Sequence, residues 1–206
     1  MNINTNTWNR LRYSLYAPVY DLAEYFVGGA RRQAMQQLNP KPGERILLMG
    51  CGTGLDLDHF PEGVDLVAID ITPAMVEKTR QRGKALGMSL DTRVMNAEQL
   101  DLGAEQFDAV VLHLILAVIP DPVSCIKEAA RVLKPGGRVS VMDKFVAKGQ
   151  RPSFVRKLMN LATNFVFSYI TRSLEPLVEA AGLRIKEDLP AMLRGMFRTV
   201  TAEKNL

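Results

Sequence analysis

The sequence is poor in the residues that cross-link a protein or bind a structural metal. Only two of its 206 residues are cysteines, Cys51 and Cys125, and neither belongs to a CxxC pair or a Cys/His cluster. Neither a disulfide framework nor a structural zinc site is therefore supported, because both need several such residues at close spacing. We expect no metal ion, and a reducing compartment fits this cysteine usage.

Long apolar runs are also missing. The first ten residues contain no apolar segment of the signal-peptide type. The longest uncharged run, residues 158–171, is interrupted by asparagine and threonine, and it is too short to cross roughly 30 Å of hydrocarbon. We therefore expect a cytoplasmic protein without a transmembrane helix.

Glycine and proline are neither scarce nor abundant, with 15 and 11 residues, which excludes a collagen-like or mainly disordered chain. Hydrophobic residues make up 47% and charged residues 23% of the chain, as in one compact domain with a full core. The net charge of +4 is uneven, at +3 over residues 1–45, −4 over 46–142 and +5 over 143–206. The basic flanks are either ordinary surface scatter or a face that meets an anionic surface, such as a phospholipid bilayer or nucleic acid.

From Ile46 onward, strand-like and helix-like segments alternate. This alternation predicts an α/β fold whose mostly parallel sheet is covered by helices on both faces. The helix near residues 122–133 has the clearest boundary signals, because Asp121 can cap it and Pro122 suits its first turn. The predicted strands are ERILLMG, VDLVAID, MSLDTRVMN, FDAVVLHLI and RVSVMDKF, followed by a terminal pair in LRIKEDLP and MLRGMFRTVTAEK.

Helical stripes flank the α/β region on both sides. Apolar residues recur at spacings of three and four from Trp8 to Phe26, with a break expected at Pro18. A comparable stripe runs from Phe154 to Phe165, next to basic residues between positions 151 and 157. Each stripe either packs on the sheet or forms a lid and a membrane-facing surface.

The most informative stretch joins the first two predicted strands. The strand RILLM leads into the loop GCGTG at residues 50–54, and Asp70 ends the next strand sixteen residues later. Glycines at alternate positions permit a sharp turn and let backbone N–H groups approach a ligand closely. A carboxylate at the tip of the next strand can accept hydrogen bonds from two ribose hydroxyls. Together these features predict a site for a cofactor that carries a nucleoside.

The glycine spacing separates classes of nucleotide site. A dinucleotide fingerprint, GxGxxG, would need glycine at position 55, where the chain has leucine. The third glycine comes one residue earlier, so the pattern is GxGxG. The sequence also lacks GxxxxGK[ST], which excludes a P-loop nucleotide triphosphatase.

Over nearly all of its length the chain resembles the class I S-adenosylmethionine-dependent methyltransferases. ILLMGCGTG is similar to their first motif, LVAIDITPAMVEKT to the second, NAEQL to the third, FDAVVLHLILAVIPDP to the fourth, and RVLKPGGRVSVMDKF to their fifth-strand region. The resemblance implies a Rossmann-like, doubly wound seven-stranded sheet, mostly parallel with its last strand antiparallel, plus an N-terminal helical cover. It also implies S-adenosylmethionine lying across the carboxyl ends of the strands.

The same resemblance suggests how one domain over residues 1–206 is divided. The expected parts are an N-terminal helical cover (1–42), a cofactor-binding core (43–145), a lid or substrate helix (146–172), and a terminal helix with a strand pair (173–206).

The implied cofactor contacts follow the motifs residue by residue. The glycine loop would line the methionine end, Asp70 would bind the ribose, Ile71 would pack on adenine, and residues 96–98 would lie at the adenine edge. Tyrosines of the N-terminal cover would stand over the cofactor or pack in the core. The expected cofactor-binding residues are Tyr13, Gly50, Cys51, Gly52, Thr53, Gly54, Asp70, Ile71, Asn96, Ala97, Glu98 and His113.

Two positions depart from the family pattern. The family usually has an acidic residue two positions before the first glycine, near the amino group of the cofactor, and this chain has Leu48 there. It also commonly has aspartate where Asn96 stands, although an amide oxygen can still accept a hydrogen bond from the adenine amino group.

The segments RYSLYAPVYDLAEYFVGGARR, TGLDLDHF and AVIPDP are similar to small soluble bacterial phosphatidylethanolamine N-methyltransferases, and less close to quinone C-methyltransferases. This resemblance implies a phospholipid amine as acceptor and peripheral contact with an anionic membrane, on its inner face. Two alternatives stay open: a methyltransferase for a soluble small molecule, thiol or quinone precursor, and a non-catalytic cofactor-binding or membrane-adaptor protein. Nucleic acid is not expected, because HLIL replaces the Asn/Asp-Pro-Pro-aromatic motif of nucleic-acid amino-methylating enzymes.

Methyl transfer from a sulfonium is an in-line displacement, so the protein mainly aligns donor and acceptor and excludes water. An amine acceptor must be neutral to attack, and a nearby side chain could take its proton. The catalytic candidates are His113, Tyr20 and Asp143. A lone histidine in an apolar run is more often structural than catalytic.

Overall fold

A computed structural model of the chain describes residues 5–16, 24–146, 171–192 and 195–205. The regular elements follow the alternation expected from the sequence, with helices interleaved between most of the strands. They are α1 (Asn6–Tyr16), α2 (Glu24–Leu38), β1 (Arg45–Met49), β2 (Asp65–Asp70), α3 (Pro73–Ala85), β3 (Leu90–Val94), β4 (Phe107–His113), α4 (Pro122–Val132), β5 (Leu133–Lys144), α5 (Glu175–Ala180), β6 (Leu183–Met192) and β7 (Phe197–Lys204).

The strands form one seven-stranded sheet in the order β3-β2-β1-β4-β5-β7-β6. The strands from β3 to β5 in this order pair in parallel, whereas β7 is antiparallel to both β5 and β6. The predicted fold class is therefore confirmed. The strand order reverses between β1 and β4, and α/β sheets bind ligands beyond the carboxyl ends of the strands at such a point.

Both faces of the sheet are buried, which explains why its central strands read as continuous apolar runs. In β1, Leu47 and Met49 belong to one core cluster, while Ile46 and Leu48 belong to another on the opposite face. Successive side chains of a strand point to opposite faces, so one short strand supplies both clusters.

Helix boundaries show which local signals are decisive. Asp121 caps α4 as predicted, because its carboxylate accepts hydrogen bonds from the backbone N–H groups of Val123 and Ser124. The helix ends at Val132, and β5 follows directly from Leu133, with a shift in the β4–β5 register near its start. Helix α5 begins after Leu174 without a side-chain cap.

Several expectations fall outside the described residues. They include the break at Pro18, the position of Tyr20, the side chains of Tyr13 and Tyr16, and nearly all of the predicted lid segment, 146–172. In the described part of the N-terminal stripe, Leu11 is 56% exposed. The apolar stripe of α1 is therefore not wholly buried against the sheet.

Candidate cofactor-binding site

An open cleft lies at the carboxyl ends of β1, β2 and β4. It spans about 660 Å³ between its walls, with its open mouth included. Its walls come from α1, the loops that follow β1 to β4, and the first turn of α3. The cleft therefore occupies the place where the strand order reverses.

The glycine loop owes its course to backbone conformations that other residues rarely adopt. Gly50, Gly52 and Gly54 have φ values of 72°, 56° and 83°, in the left-handed region where a Cβ is disfavoured. A Cβ on Gly50 would also lie 2.7 Å from the side chain of Ile115. The N–H groups of Gly50 and Cys51 both donate to the Ile69 carbonyl, at 2.8 and 2.9 Å, which turns the chain sharply at the end of β1.

Asp70, at the end of β2, faces the cleft beside the glycine loop. Its Oδ2 accepts a hydrogen bond from the Gly52 N–H at 3.1 Å, and its Oδ1 accepts one from the Thr72 N–H at 2.8 Å. Burial raises the pKa of this carboxyl group, and the two backbone donors counter only part of that effect. Each carboxylate oxygen has more than one lone pair, so it can accept a further bond from a hydroxyl.

The far side of the cleft is mainly apolar, which suits a flat aromatic group. Ile71, Met75, Met95 and Ala97 line it. Asn96 lies there too, and its side-chain oxygen accepts a hydrogen bond from the Glu98 N–H at 3.0 Å. Its amide therefore stands at the edge of the apolar surface.

Two asparagines of α1 complete the cleft, and the sequence analysis missed both. The Asn6 side chain donates to Glu98 Oε2 at 2.7 Å, and the Asn9 side chain donates to the Val118 carbonyl at 3.3 Å. Asn9 is 5% exposed, and its Oδ1 has no hydrogen-bond partner among the residues that the structure describes. A ligand donor in the cleft could satisfy this atom. Asparagines three residues apart on a helix give no local signal of such a role.

His113 ends β4 with both ring nitrogens engaged. Nδ1 lies 2.6 Å from Asp56 Oδ1, and Nε2 lies 3.0 Å from Ser140 Oγ. Asp56 also forms a buried ion pair with Arg31, at 2.7 Å between Nη1 and Oδ2. Neither Arg31 nor Asp56 carries a local signal in the sequence, because their contact joins α2 to a loop twenty-five positions away.

Asp56 stays ionised within this network. Burial alone would raise its pKa, but the Arg31 guanidinium and His113 outweigh burial and hold the pKa well below its usual range. A buried carboxylate paired in this way tolerates the loss of water because each oxygen has a hydrogen-bond partner.

Asp143 does not line the cleft. It is fully buried, and its two oxygens accept hydrogen bonds from the N–H groups of Ala117 and Lys144, at 2.7 and 2.8 Å. Burial raises the pKa of this carboxyl group. These contacts hold the loop after β4, which forms one wall of the cleft through Ile115 and Val118. Asp143 therefore stabilises the loop after β4 and has no direct contact with the cleft.

The structure brings seven of the twelve predicted cofactor residues to the cleft and leaves four beside it, while the side chain of Tyr13 lies outside the described residues. The side chain of Cys51 packs in the core cluster of β1 and α2, and burial raises the pKa of its thiol. Glu98 instead ties α1 to the start of α4, since it accepts from Asn6 and from the Asp121 N–H. The predicted residues that line the cleft are Gly50, Gly52, Asp70, Ile71, Asn96, Ala97 and His113, whereas Cys51, Thr53, Gly54 and Glu98 do not.

No helix within residues 5–16, 24–146, 171–192 and 195–205 has the length and hydropathy needed to cross a bilayer. Within the same ranges, no group of three His, Cys, Asp or Glu side chains could hold a metal ion.

Comparison with known proteins relates this chain to methyltransferases. The profile of the family described as methyltransferase domain matches residues 47–141. The chain is 28% identical over 169 residues to phosphatidylethanolamine N-methyltransferase of Cereibacter sphaeroides, covering 81% of this chain and 83% of that protein. It is 41% identical over 101 residues to ubiquinone biosynthesis O-methyltransferase of Xanthomonas oryzae pv. oryzae, which is 47% of this chain but only 41% of that relative.

Solved structures agree on the fold. A SAM-dependent methyltransferase from Aquifex aeolicus matches with a TM-score of 0.67 at 18% identity, covering 93% of this chain and 97% of the other. The chain carries a methyltransferase domain over residues 47–141, and a relative that matches 81% of its length is named as a methyltransferase. It is thus an enzyme whose cofactor is S-adenosylmethionine, and the names of its relatives point to more than one kind of methyl acceptor.

The placement of Asp143 predicts a loss of stability on substitution. Asp143→Ala should lower the free energy of unfolding by roughly 1–3 kcal/mol for each buried N–H left without an acceptor. Asp143→Asn should lose less, because the amide oxygen can still accept one bond. Urea denaturation measures both effects. An Asp143→Asn protein with unchanged stability and cofactor affinity but no methyl transfer would contradict the supporting role and favour a catalytic one.

Proposed function

We propose that this enzyme transfers a methyl group from S-adenosylmethionine to the amine of a membrane phospholipid of the phosphatidylethanolamine type. The observation that carries the proposal is the match to the Cereibacter sphaeroides enzyme, which extends over 81% of this chain and 83% of that relative. A match of this extent includes parts of the chain outside the cofactor core. It therefore bears on the acceptor as well as on the cofactor.

The residues of the cleft fit the cofactor. In this assignment Asp70 accepts hydrogen bonds from the ribose hydroxyls, while Ile71 and Met75 pack against adenine. Asn96 meets the edge of the base, and the unpartnered Oδ1 of Asn9 accepts a hydrogen bond from the cofactor or the acceptor. When bound, the cofactor supplies a methyl group on a positively charged sulfur, which an acceptor lone pair can displace in line.

His113 acts in this proposal as a positioning residue. Because Asp56 is ionised, Nδ1 carries the hydrogen and donates a hydrogen bond to Asp56, and Nε2 is hydrogen-bonded to Ser140. No lone pair is left on the ring to serve as a base without breaking one of these bonds. His113 therefore fixes the end of β4 relative to the loop that contains Asp56. Without a base on the ring, the amine must enter the cleft in its neutral form.

The exposed side of α1 supports access from a membrane surface. Asn6 and Asn9 of this helix line the cleft, while Arg10 and Leu11 are exposed next to them. An apolar side chain beside a basic one combines burial in the lipid interface with attraction to anionic head groups. Arg12 and the basic residues near the predicted lid were part of the same expectation, but their side chains lie outside the described residues.

A second acceptor class is favoured by a specific observation. The ubiquinone biosynthesis relative is 41% identical, although over 101 residues only. A phenolic quinone precursor or another small molecule is thus the alternative acceptor. The cleft would bind the cofactor in the same way in both cases.

The first prediction of this proposal concerns Asp70. Asp70→Ala should weaken the binding of S-adenosylhomocysteine at least about tenfold, because two hydrogen bonds to a charged acceptor are lost. Isothermal titration calorimetry measures the affinity. Asp65→Ala is the matched control, since Asp65 begins the same strand at its other end and is exposed. Equal affinities for Asp70→Ala and the control would contradict the assigned ribose contact.

The second prediction concerns the acceptor. Incubation with methyl-labelled S-adenosylmethionine and a bacterial lipid extract should place label in phospholipids that had a primary amine. The lipids are separated by chromatography into phospholipids and neutral lipids, and the aqueous phase is counted as well. Asp70→Ala protein serves as the control for background label. Label only in neutral lipids or only in the aqueous phase would favour the quinone or small-molecule acceptor instead.

The third prediction concerns attachment to membranes. The protein should sediment with vesicles that contain anionic lipid and not with uncharged ones, and added salt should release it. Leu11→Glu should weaken sedimentation, whereas Leu86→Glu should not. Both leucines are exposed, at 56% and 46%, but α3 runs back from the cleft and places Leu86 at the opposite end of the sheet. Equal losses in the two variants would argue against docking through α1.

A further inference from the structure

A smaller chamber lies behind the glycine loop and continues from the cleft. It spans about 240 Å³, part of which is open to solvent, and four residues line both spaces: Gly50, Gly52, His113 and Leu114. We call it the inner chamber. Because it adjoins the cleft at the glycine loop, a ligand that lies in the cleft can extend one end into it.

The inner chamber contains one buried charge of each sign. Arg31 and Asp56 line it, and their side chains are only 5% and 8% exposed. Their closest atoms, Nη1 and Oδ2, are 2.7 Å apart. Charges this well shielded from water interact strongly with any charge that joins them. A ligand group that carries both charges can enter without leaving either of them unbalanced.

A second observation indicates that a polar ligand group belongs in this chamber. Thr53 lines it and is 3% exposed, yet its Oγ1 has no hydrogen-bond partner in the part of the chain that the structure describes. A buried hydroxyl without a partner costs free energy, so such groups are rare unless something completes them.

The chain also lacks a carboxylate at the position where its family usually has one. Leu48 stands two residues before the first glycine, and its side chain is 1% exposed within an apolar core cluster of β1, β4 and α2. No charge at this position can face the amino group of the cofactor. Asp56 is a carboxylate close to the glycine loop, since it lies only two residues after the last glycine.

We propose that Arg31 and Asp56 bind the amino-acid end of S-adenosylmethionine in the inner chamber, with Asp56 facing the ammonium group and Arg31 the carboxylate. The Thr53 hydroxyl supplies a third contact to the same end. This proposal rests on the cofactor assignment and is independent of which acceptor is methylated. It replaces the acidic residue missing at position 48 by a carboxylate from the other side of the glycine loop.

The chemistry of the two side chains suits this task. A guanidinium has five N–H donors in a planar fork and can serve two carboxylates at once, so binding the cofactor does not require the Arg31–Asp56 pair to break. An ionised carboxylate accepts at both oxygens, and each keeps a lone pair after its bond to Arg31 or His113. The cofactor zwitterion would thus extend an existing buried network.

The test compares two ligands that differ only at the proposed contact. S-adenosylhomocysteine carries the amino-acid end, whereas 5′-methylthioadenosine has the same adenosine and thioether without it. Asp56→Asn should weaken S-adenosylhomocysteine binding about tenfold or more and leave 5′-methylthioadenosine binding unchanged in calorimetry. Asp58→Asn is the matched control, because Asp58 lies two residues away and pairs with Arg82 at the surface.

A second variant distinguishes the loss of a contact from the loss of the fold. Thr53→Val removes only the unpartnered hydroxyl, so it should keep the melting temperature while weakening S-adenosylhomocysteine binding several-fold and sparing 5′-methylthioadenosine. Equal losses for both ligands in Asp56→Asn and in Thr53→Val would overturn the proposal, because they would show a general effect on the site. Unchanged S-adenosylhomocysteine binding in both variants would overturn it as well. Wild-type protein that binds neither thioether would instead contradict the cofactor assignment itself.

Discussion

One buried carboxylate joins α2, the loop after β1 and the strands β4 and β5. Asp56 lies behind the glycine loop, where a charge without partners would be prohibitively costly. Its partners come from separate elements, with Arg31 on α2 and His113 at the end of β4, and Ser140 of β5 extends the network. Satisfying this single charge therefore brings a helix, a loop and two neighbouring strands to one place, and that place is the base of the cofactor cleft.

The opposite wall of the cleft is held by hydrogen bonds to backbone atoms. The loop after β4 begins with Leu114, a non-glycine residue with φ of 60°, a conformation that needs support from its surroundings. Asp143 supplies part of that support through the Ala117 N–H, and Arg172 donates to the Leu116 carbonyl. Asn9 of α1 then rests on the same loop through Val118. A buried carboxylate and the N-terminal cover thus shape the cleft together, although neither belongs to the glycine motif.

The two walls of the cleft differ in their surroundings. The glycine loop, Asp70 and the network around Asp56 are set at the edge of the buried sheet. The other side of the cleft is bordered by α1, whose outer face is exposed at Leu11. The proposed function assigns the first side to the cofactor, and the relatives named for a phospholipid and for ubiquinone biosynthesis differ in their acceptor.

The sequence by itself determined the sheet, the glycine turn and the place of Asp70, because these depend on short periodic patterns and on φ values that few residues other than glycine adopt. The cap of α4 by Asp121 was equally local. Only the tertiary structure decided that Cys51 points into the core, that Asp143 supports a loop, and that Arg31, Asp56 and Asn9 border the site. Those roles arise from contacts between residues far apart in the chain, such as the Asn9–Val118 bond. Such contacts exist only once the strands have paired and burial has made each polar group find a partner.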